Sequence, residues 1–236
     1  MVSFAARATE PELMDGSDVT PEDYAACMAD LAQVNTLTLA RGPTLRFVEE
    51  RLRAAPPGPP PLVLDVGYGA GDMLRALERR LAKTGLRARL VGIDLNPRSE
   101  PVAIGMSDPD TDIAYLTGDA YAWPDHDPPA LVISSLVTHH MDDAEIVRFL
   151  SWMEARTTLG WFVNDLHRHA IAYHGFRALA AAMRWHHFTR HDGPLSVASS
   201  FRRPDWSAYL RQAGIGPQQA RVRWHFPFRY CVERRK

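Results

Sequence analysis

The chain has 236 residues, 46% of them hydrophobic and 23% charged, with a formal net charge of −1 at pH 7. That length supports one domain with a sizeable core, and the balanced charge argues against nucleic acid or an anionic membrane as the main partner. Its two cysteines, Cys27 and Cys231, are too few for a disulfide framework or a zinc ribbon and favour a reducing compartment.

The opening MVSFAARATEPELMD lacks the apolar run of a signal peptide, and no later run reaches the roughly 18 residues of a membrane span. A soluble, cytoplasmic protein is expected. Residues 23–53 read as two helices broken near Arg41, Gly42 and Pro43. The run AAPPGPPP, 54–61, cannot be helix and is a short stiff connector.

Beyond it, short apolar runs alternate with helical patterns. LVLDV (62–66) precedes DMLRALERRLAK, where Leu74, Leu77 and Leu81 recur at helical spacing and Gly85 can end the helix. ARLVGID (88–94), a looser segment, DIAYL (112–116) and ALVISSL (130–136) follow. An amphipathic helix then leads to GWFVNDL (160–166), and near the end RPDWSAYLRQAG gives a helix with a glycine stop. RVRWHF (221–226) and FRYCVER (228–234) flank Pro227 and must run antiparallel to each other. The alternation predicts an α/β fold, a largely parallel sheet with helices on both faces. Ligands of such sheets sit beyond the carboxyl ends of the strands.

The stretch LVLDVGYGAGDML (62–74) turns on Gly67, Gly69 and Gly71. A dinucleotide fingerprint needs G-x-G-x-x-G/A, and counting from Gly67 or Gly69 its last place falls on Asp72 or Leu74. Asp65 ends the strand and Asp72 opens the helix, where a pyrophosphate would want bare N–H donors. A cationic ligand suits this turn, and S-adenosylmethionine carries a sulfonium and an ammonium but no phosphate. Asp94, closing the second strand, can accept both hydroxyls of a ribose. Asp119 and Ala120, after the third, can take an adenine amino group beside a backbone contact.

This ordered set, D-V-G-x-G-x-G-D, then G-I-D-x-N-P, then G-D-A, resembles the class I S-adenosylmethionine-dependent methyltransferases over roughly residues 60–235. The resemblance implies a Rossmann-like seven-stranded mixed sheet with an antiparallel last strand. It sets a methyltransferase domain over 56–236, carrying a helical lid insertion at about 166–204, under an N-terminal helical cap over 1–55. It also implies that Asp65, Gly67, Tyr68, Gly69 and Gly71 surround the methionine part, Asp94 and Leu95 the ribose, and Asp119 with Ala120 the adenine. Ser134 and Leu136 at the end of the fourth strand complete the contacts, and Arg41 is a candidate clamp for the cofactor carboxylate. One departure is that the fourth strand opens on Ala130, where the family usually has an aspartate.

Methyl transfer mainly needs the acceptor positioned and water excluded; an acceptor hydroxyl also needs a base. Eight of the ten histidines lie between His139 and His191. His140 and His139 follow the fourth strand and are the first candidates for that base, with His167 after the fifth strand next. No histidine set has the spacing of a specific metal site, so no metal is expected. The 166–204 insertion has one acid, Asp192, against six arginines and five aromatic residues. It is expected to form an aromatic, positive lid that pairs with the acidic N-terminal stretch over a flat, acidic or phenolic acceptor.

ELMD near the start, HH after strand four, NDLHRH, and HDG-x-x-SV followed by PDW resemble a bacterial subgroup associated with polyketide biosynthesis, including type III synthases. That implies O-methylation of a phenol or enol of a natural product in a monomer or homodimer. C-methylation of a similar acceptor and a non-catalytic binding protein on the same fold are the alternatives.

Overall fold

The computed structural model describes residues 4–16 and 18–236; residues 1–3 and 17 of the expected cap lie outside the described residues. The strands are β1 (Leu62–Val66), β2 (Arg89–Asp94), β3 (Ile113–Thr117), β4 (Leu131–Ser135), β5 (Gly160–Leu166), β6 (Ala220–His225) and β7 (Arg229–Arg235). They form one sheet in the order β3-β2-β1-β4-β5-β7-β6. All pairs up to β5 are parallel, and β7 runs antiparallel to both β5 and β6. This is the expected Rossmann-like sheet with its reversed last strand.

Strand alternation divides the core between the two faces. Leu62, Leu64, Val132, Trp161 and Val163 pack with Ile146, Phe149 and Met153 of α5 (Asp143–Arg156) and Trp206 and Leu210 of α8 (Arg203–Gln212). Val63, Leu131, Ile133 and Phe162 pack with Phe47 and Leu52 of α2 (Gly42–Arg53) and Leu74, Leu77 and Leu81 of α3 (Asp72–Thr84). Helix α3 ends as expected, at a left-handed Gly85. Helix α5 starts at a capping box between Asp142 and Glu145.

Helix α1 (Pro21–Leu37) is capped by the Thr20 hydroxyl, which accepts from Asp23 N–H. The insertion after β5 holds α6 (Ala170–Met183) and α7 (His187–Ser199). These two pack closely where a Cβ on Gly193 would lie 2.0 Å from the Phe176 ring. The looser segment after β2 contains a short helix, α4 (Ser99–Gly105). Its seven residues, with Pro101 inside and Pro97 just before, leave too little periodicity to read.

Candidate active site

The turn after β1 is built from three left-handed glycines, Gly67 at φ +74°, Gly69 at +51° and Gly71 at +71°. A Cβ on Gly67 would lie 2.4 Å from Val137 Cγ2, and one on Gly71 2.6 Å from the Tyr115 ring. Both conformation and space therefore require glycine. The Gly69 N–H donates to Asp94 Oδ2 at 2.9 Å, and Asn96 N–H donates to Oδ1 at 2.9 Å. Two backbone donors thus fix the Asp94 carboxylate and leave lone pairs free for a ligand.

This turn borders a cavity of about 710 Å³ over the carboxyl ends of the strands. Of the residues singled out in the sequence, Gly67, Tyr68, Gly69, Asp94, Leu95, Asp119, Ala120, Leu136, His139 and His140 line it. Asp65 borders a small adjoining cavity with Asn35, Ser135 and Asn164. The Asp119 side chain accepts from Tyr121 N–H at 2.9 Å, which sets it at the wall beside Ala120.

Four expected residues sit elsewhere. Gly71 serves the turn against Tyr115. Ser134 points into the sheet, its hydroxyl donating to Val66 C=O at 3.0 Å; its neighbour Ser135 takes the place at the cavity wall. Arg41 is bound to Asp72 at 2.8 Å and to Thr36 Oγ1 at 2.7 Å. His167 receives Trp224 Nε1–H on Nδ1 at 3.2 Å and stands edge-on to Tyr230, away from the cavity lining. Burial first, then His169, Arg202 and Arg168, push His167 down to about 4.

The charge at the turn is also redistributed. Arg41 pairs with Asp72, which accepts from Asn35 as well. Asp65, 2% exposed, is raised well above the usual carboxylate range by burial and then by Asp72 and Asp94. Asn35 Oδ1 and Ser135 Oγ are buried beside it without a hydrogen-bond partner among the described residues.

Asp165 is fully buried at the end of β5. It accepts from Thr138 Oγ1 at 2.5 Å, His139 N–H at 3.2 Å and Leu166 N–H at 2.7 Å, and holds His139 Nδ1 at 2.8 Å. Burial would raise its pKa, but His139 and these hydrogen bonds outweigh it and lower the carboxyl below its ordinary value. The Asp165–Nδ1 contact leaves His139 Nε2 on the cavity side, 3.7 Å from Glu12 Oε1.

His140 lies at the mouth with Nδ1 3.4 Å from Asp15 and Nε2 3.9 Å from Glu12. Burial works against its charge, yet the Asp15 hydrogen bond and the carboxylates of Glu12, Asp15 and Asp165 push it up to about 9. At neutral pH this favours the cationic form of His140, which cannot take up a further proton. Glu12, His139 and His140 each bring one ligand atom within 4.8 Å of the others, a spacing open to a cation.

The N-terminal segment reaches the site through Arg7. Its guanidinium donates to His139 C=O at 3.2 Å, Met141 C=O at 2.8 Å and Ser199 C=O at 2.7 Å. Asp192 of α7 accepts from Leu13 N–H at 2.9 Å and Met14 N–H at 3.0 Å. The lid does not have the expected positive lining. Its cavity residues are chiefly apolar, among them Ile171, Phe176 and Leu179, with Asp192 and none of the six arginines. Those arginines turn away, and the N-terminal acids meet histidines instead.

A family profile described as "Methyltransferase domain" matches residues 63–160. Among curated proteins, none matches this chain. Solved structures resemble it in fold. The plantazolicin methyltransferase BpumL, in complex with a monoazolic desmethylPZN analog and SAH, is 11% identical with a TM-score of 0.64, over 92% of this chain and 96% of that one. The CurJ carbon methyltransferase is 13% identical with a TM-score of 0.64, over 92% and 61%. Human N-acetylserotonin methyltransferase in complex with SAM is 15% identical with a TM-score of 0.62, over 92% and 56%.

Proposed function

We propose that this chain, whose residues 63–160 match a family profile described as "Methyltransferase domain", is an enzyme that methylates an oxygen of a phenolic or enolic small molecule of polyketide type. Its cofactor is S-adenosylmethionine, which when bound supplies an electrophilic methyl on a cationic sulfur and leaves as S-adenosylhomocysteine. The residues present suit it. Asp65, with Asn35 Oδ1 and Ser135 Oγ unpartnered beside it, can receive an ammonium, which would favour its ionised form. Asp94 accepts ribose hydroxyls next to Leu95, and Asp119 with Ala120 takes the adenine.

His139 removes the acceptor proton at Nε2 while Asp165 holds Nδ1 at 2.8 Å and stabilises the imidazolium that forms. The apolar cavity face of the 166–204 insertion and the described residues of the N-terminal cap exclude water. The observation that carries this reading is that the glycine turn and His139 open onto one cavity.

Incubation with methyl-labelled cofactor and a panel of resorcinols, pyrones and quinols, read by mass and by the position of the label, tests it. Labelled O-methyl product, lost in His139→Ala, is expected. Absence of calorimetric heat with either S-adenosylmethionine or S-adenosylhomocysteine overturns the cofactor assignment. Wild-type turnover by His139→Ala overturns the base.

A further inference from the structure

Two arginines are fully buried, Arg168 and Arg229, each 2% exposed. Arg168 is satisfied: its guanidinium donates to Phe4 C=O and Ser200 C=O and pairs with Asp205 at 3.0 Å. Arg229 is not. Nη2 donates to Thr38 Oγ1 at 3.0 Å, while Nε and Nη1 have no hydrogen-bond partner among the described residues. No carboxylate among them forms an ion pair with it.

Burying a guanidinium without a counter-charge costs stability unless a ligand compensates. Burial accordingly pulls Arg229 down to about 10, against the pull of Cys231, Asp165 and Asp72; it remains a cation at neutral pH. It also borders the 710 Å³ cavity, and among the described residues it is the one arginine or lysine that does. A planar fork with free N–H groups is the donor set that recognises an oxyanion.

We propose that Arg229 is an anion-binding residue of this cavity, receiving a carboxylate or phenolate-type oxygen of a molecule bound there. The inference rests on the function proposed above and names the chemistry of one end of its ligands. The oxygen can belong to the acceptor or to the methionine carboxylate of the cofactor. Arg229 opens β7 opposite Leu166 of β5, where its backbone is three strand spacings or about 14 Å across the sheet from β1, while its guanidinium reaches to Thr38.

The test compares the full chain with Arg229→Met and Arg229→Lys in two calorimetric arms. The first measures affinity for S-adenosylhomocysteine. The second, with and without that ligand, measures 2,4-dihydroxybenzoate against resorcinol, which lacks the carboxylate. In Arg229→Met we expect a thermal midpoint at or above that of the wild type, since the unpaired buried charge is gone, and at least tenfold weaker binding in one arm. Arg229→Lys keeps the charge but not the fork and falls in between.

Loss confined to dihydroxybenzoate assigns the oxyanion to the acceptor; loss of S-adenosylhomocysteine assigns it to the cofactor. Affinities within twofold of wild type in both arms overturn the proposal, as does a collapsed midpoint in Arg229→Met with wild-type binding by Arg229→Lys. Failure of the wild type itself to bind S-adenosylhomocysteine counts against the proposed function instead, and the dihydroxybenzoate arm without it still decides on Arg229.

Discussion

Asp165 at the end of β5 grips His139 Nδ1 at 2.8 Å while accepting Thr138 Oγ1–H and the N–H groups of His139 and Leu166. Four such contacts fix the carboxylate's position, so the ring it holds is aimed rather than free. If His139 is the base, its orientation and tautomer depend on Asp165. Asp165→Asn keeps the shape but loses the charge that stabilises the imidazolium. A fall in kcat of about 10²-fold or more is expected, with S-adenosylhomocysteine affinity within twofold of wild type. The double variant with His139→Ala should be hardly slower than His139→Ala alone, because the two residues act as a unit. Single-turnover rates check this; additive losses would mean that Asp165 acts independently of His139.

His140 supplies a pH signature. Its folded pKa of about 9 lies above the ordinary value of 6.5. A raised folded pKa contributes stability that is full below about 6.5 and is lost as pH rises through about 9. The thermal midpoint of the wild type should therefore exceed that of His140→Gln most at about pH 6, with the gap closing by about pH 10. In Asp15→Asn the imidazole resonance of His140 should titrate nearer 6.5, because the hydrogen-bonded carboxylate is gone. A His140 midpoint near 6.5 in the wild type would remove the basis for excluding it as the base.

Much of this site was legible in the chain itself. The spacing of Gly67, Gly69 and Gly71 and the acids at the ends of β1 and β2 mark a turn and a wall, because backbone conformation is a local property of sequence. What stayed hidden depends on phase and distance. Whether Ser134 or Ser135 faces the cavity follows from which face of β4 meets α2 and α3, and a short apolar run does not reveal its phase. The same parity turns His167 towards Trp224 and leaves Leu166 at the cavity. Glu12 meets His139, and Arg229 meets Thr38, across most of the chain, so no local pattern pairs them. Arg41 looked free only because its partner Asp72 lies 31 positions away.

The glycine turn predicts a separable steric effect. In Gly67→Ala the new Cβ meets Val137 Cγ2 at 2.4 Å and must also hold φ +74°. Overpacking of this kind costs about 1–3 kcal/mol, and the left-handed conformation adds about 1 kcal/mol for a residue with a Cβ. Denaturant midpoints and S-adenosylhomocysteine affinity should both fall in Gly67→Ala. Adding Val137→Ala relieves the clash and should recover part of the stability, leaving the cost of the backbone. Full recovery would show that φ at this turn is not a constraint.

The lid makes the last prediction, because a buried acid in it binds two consecutive backbone amides of the N-terminal segment. Asp192 is 3% exposed and receives both Leu13 N–H and Met14 N–H. These bonds hold the segment that carries Glu12 to His139 and Asp15 to His140. Asp192→Ala strands two amides and is expected to cost about 1–3 kcal/mol. The loss should be local: hydrogen exchange at Leu13 and Met14 accelerates, while amides of β1, β4 and β5 keep their protection. Turnover should drop about tenfold as Glu12 leaves the histidines, whereas Asp192→Asn, which retains one acceptor oxygen, should lose less of both. Unchanged exchange at Leu13 and Met14 in Asp192→Ala would mean that the other ties of the segment, Ser196 Oγ–H to Glu12, Ala8 N–H to Ala198 C=O and Arg7 to Ser199 C=O, hold it without Asp192.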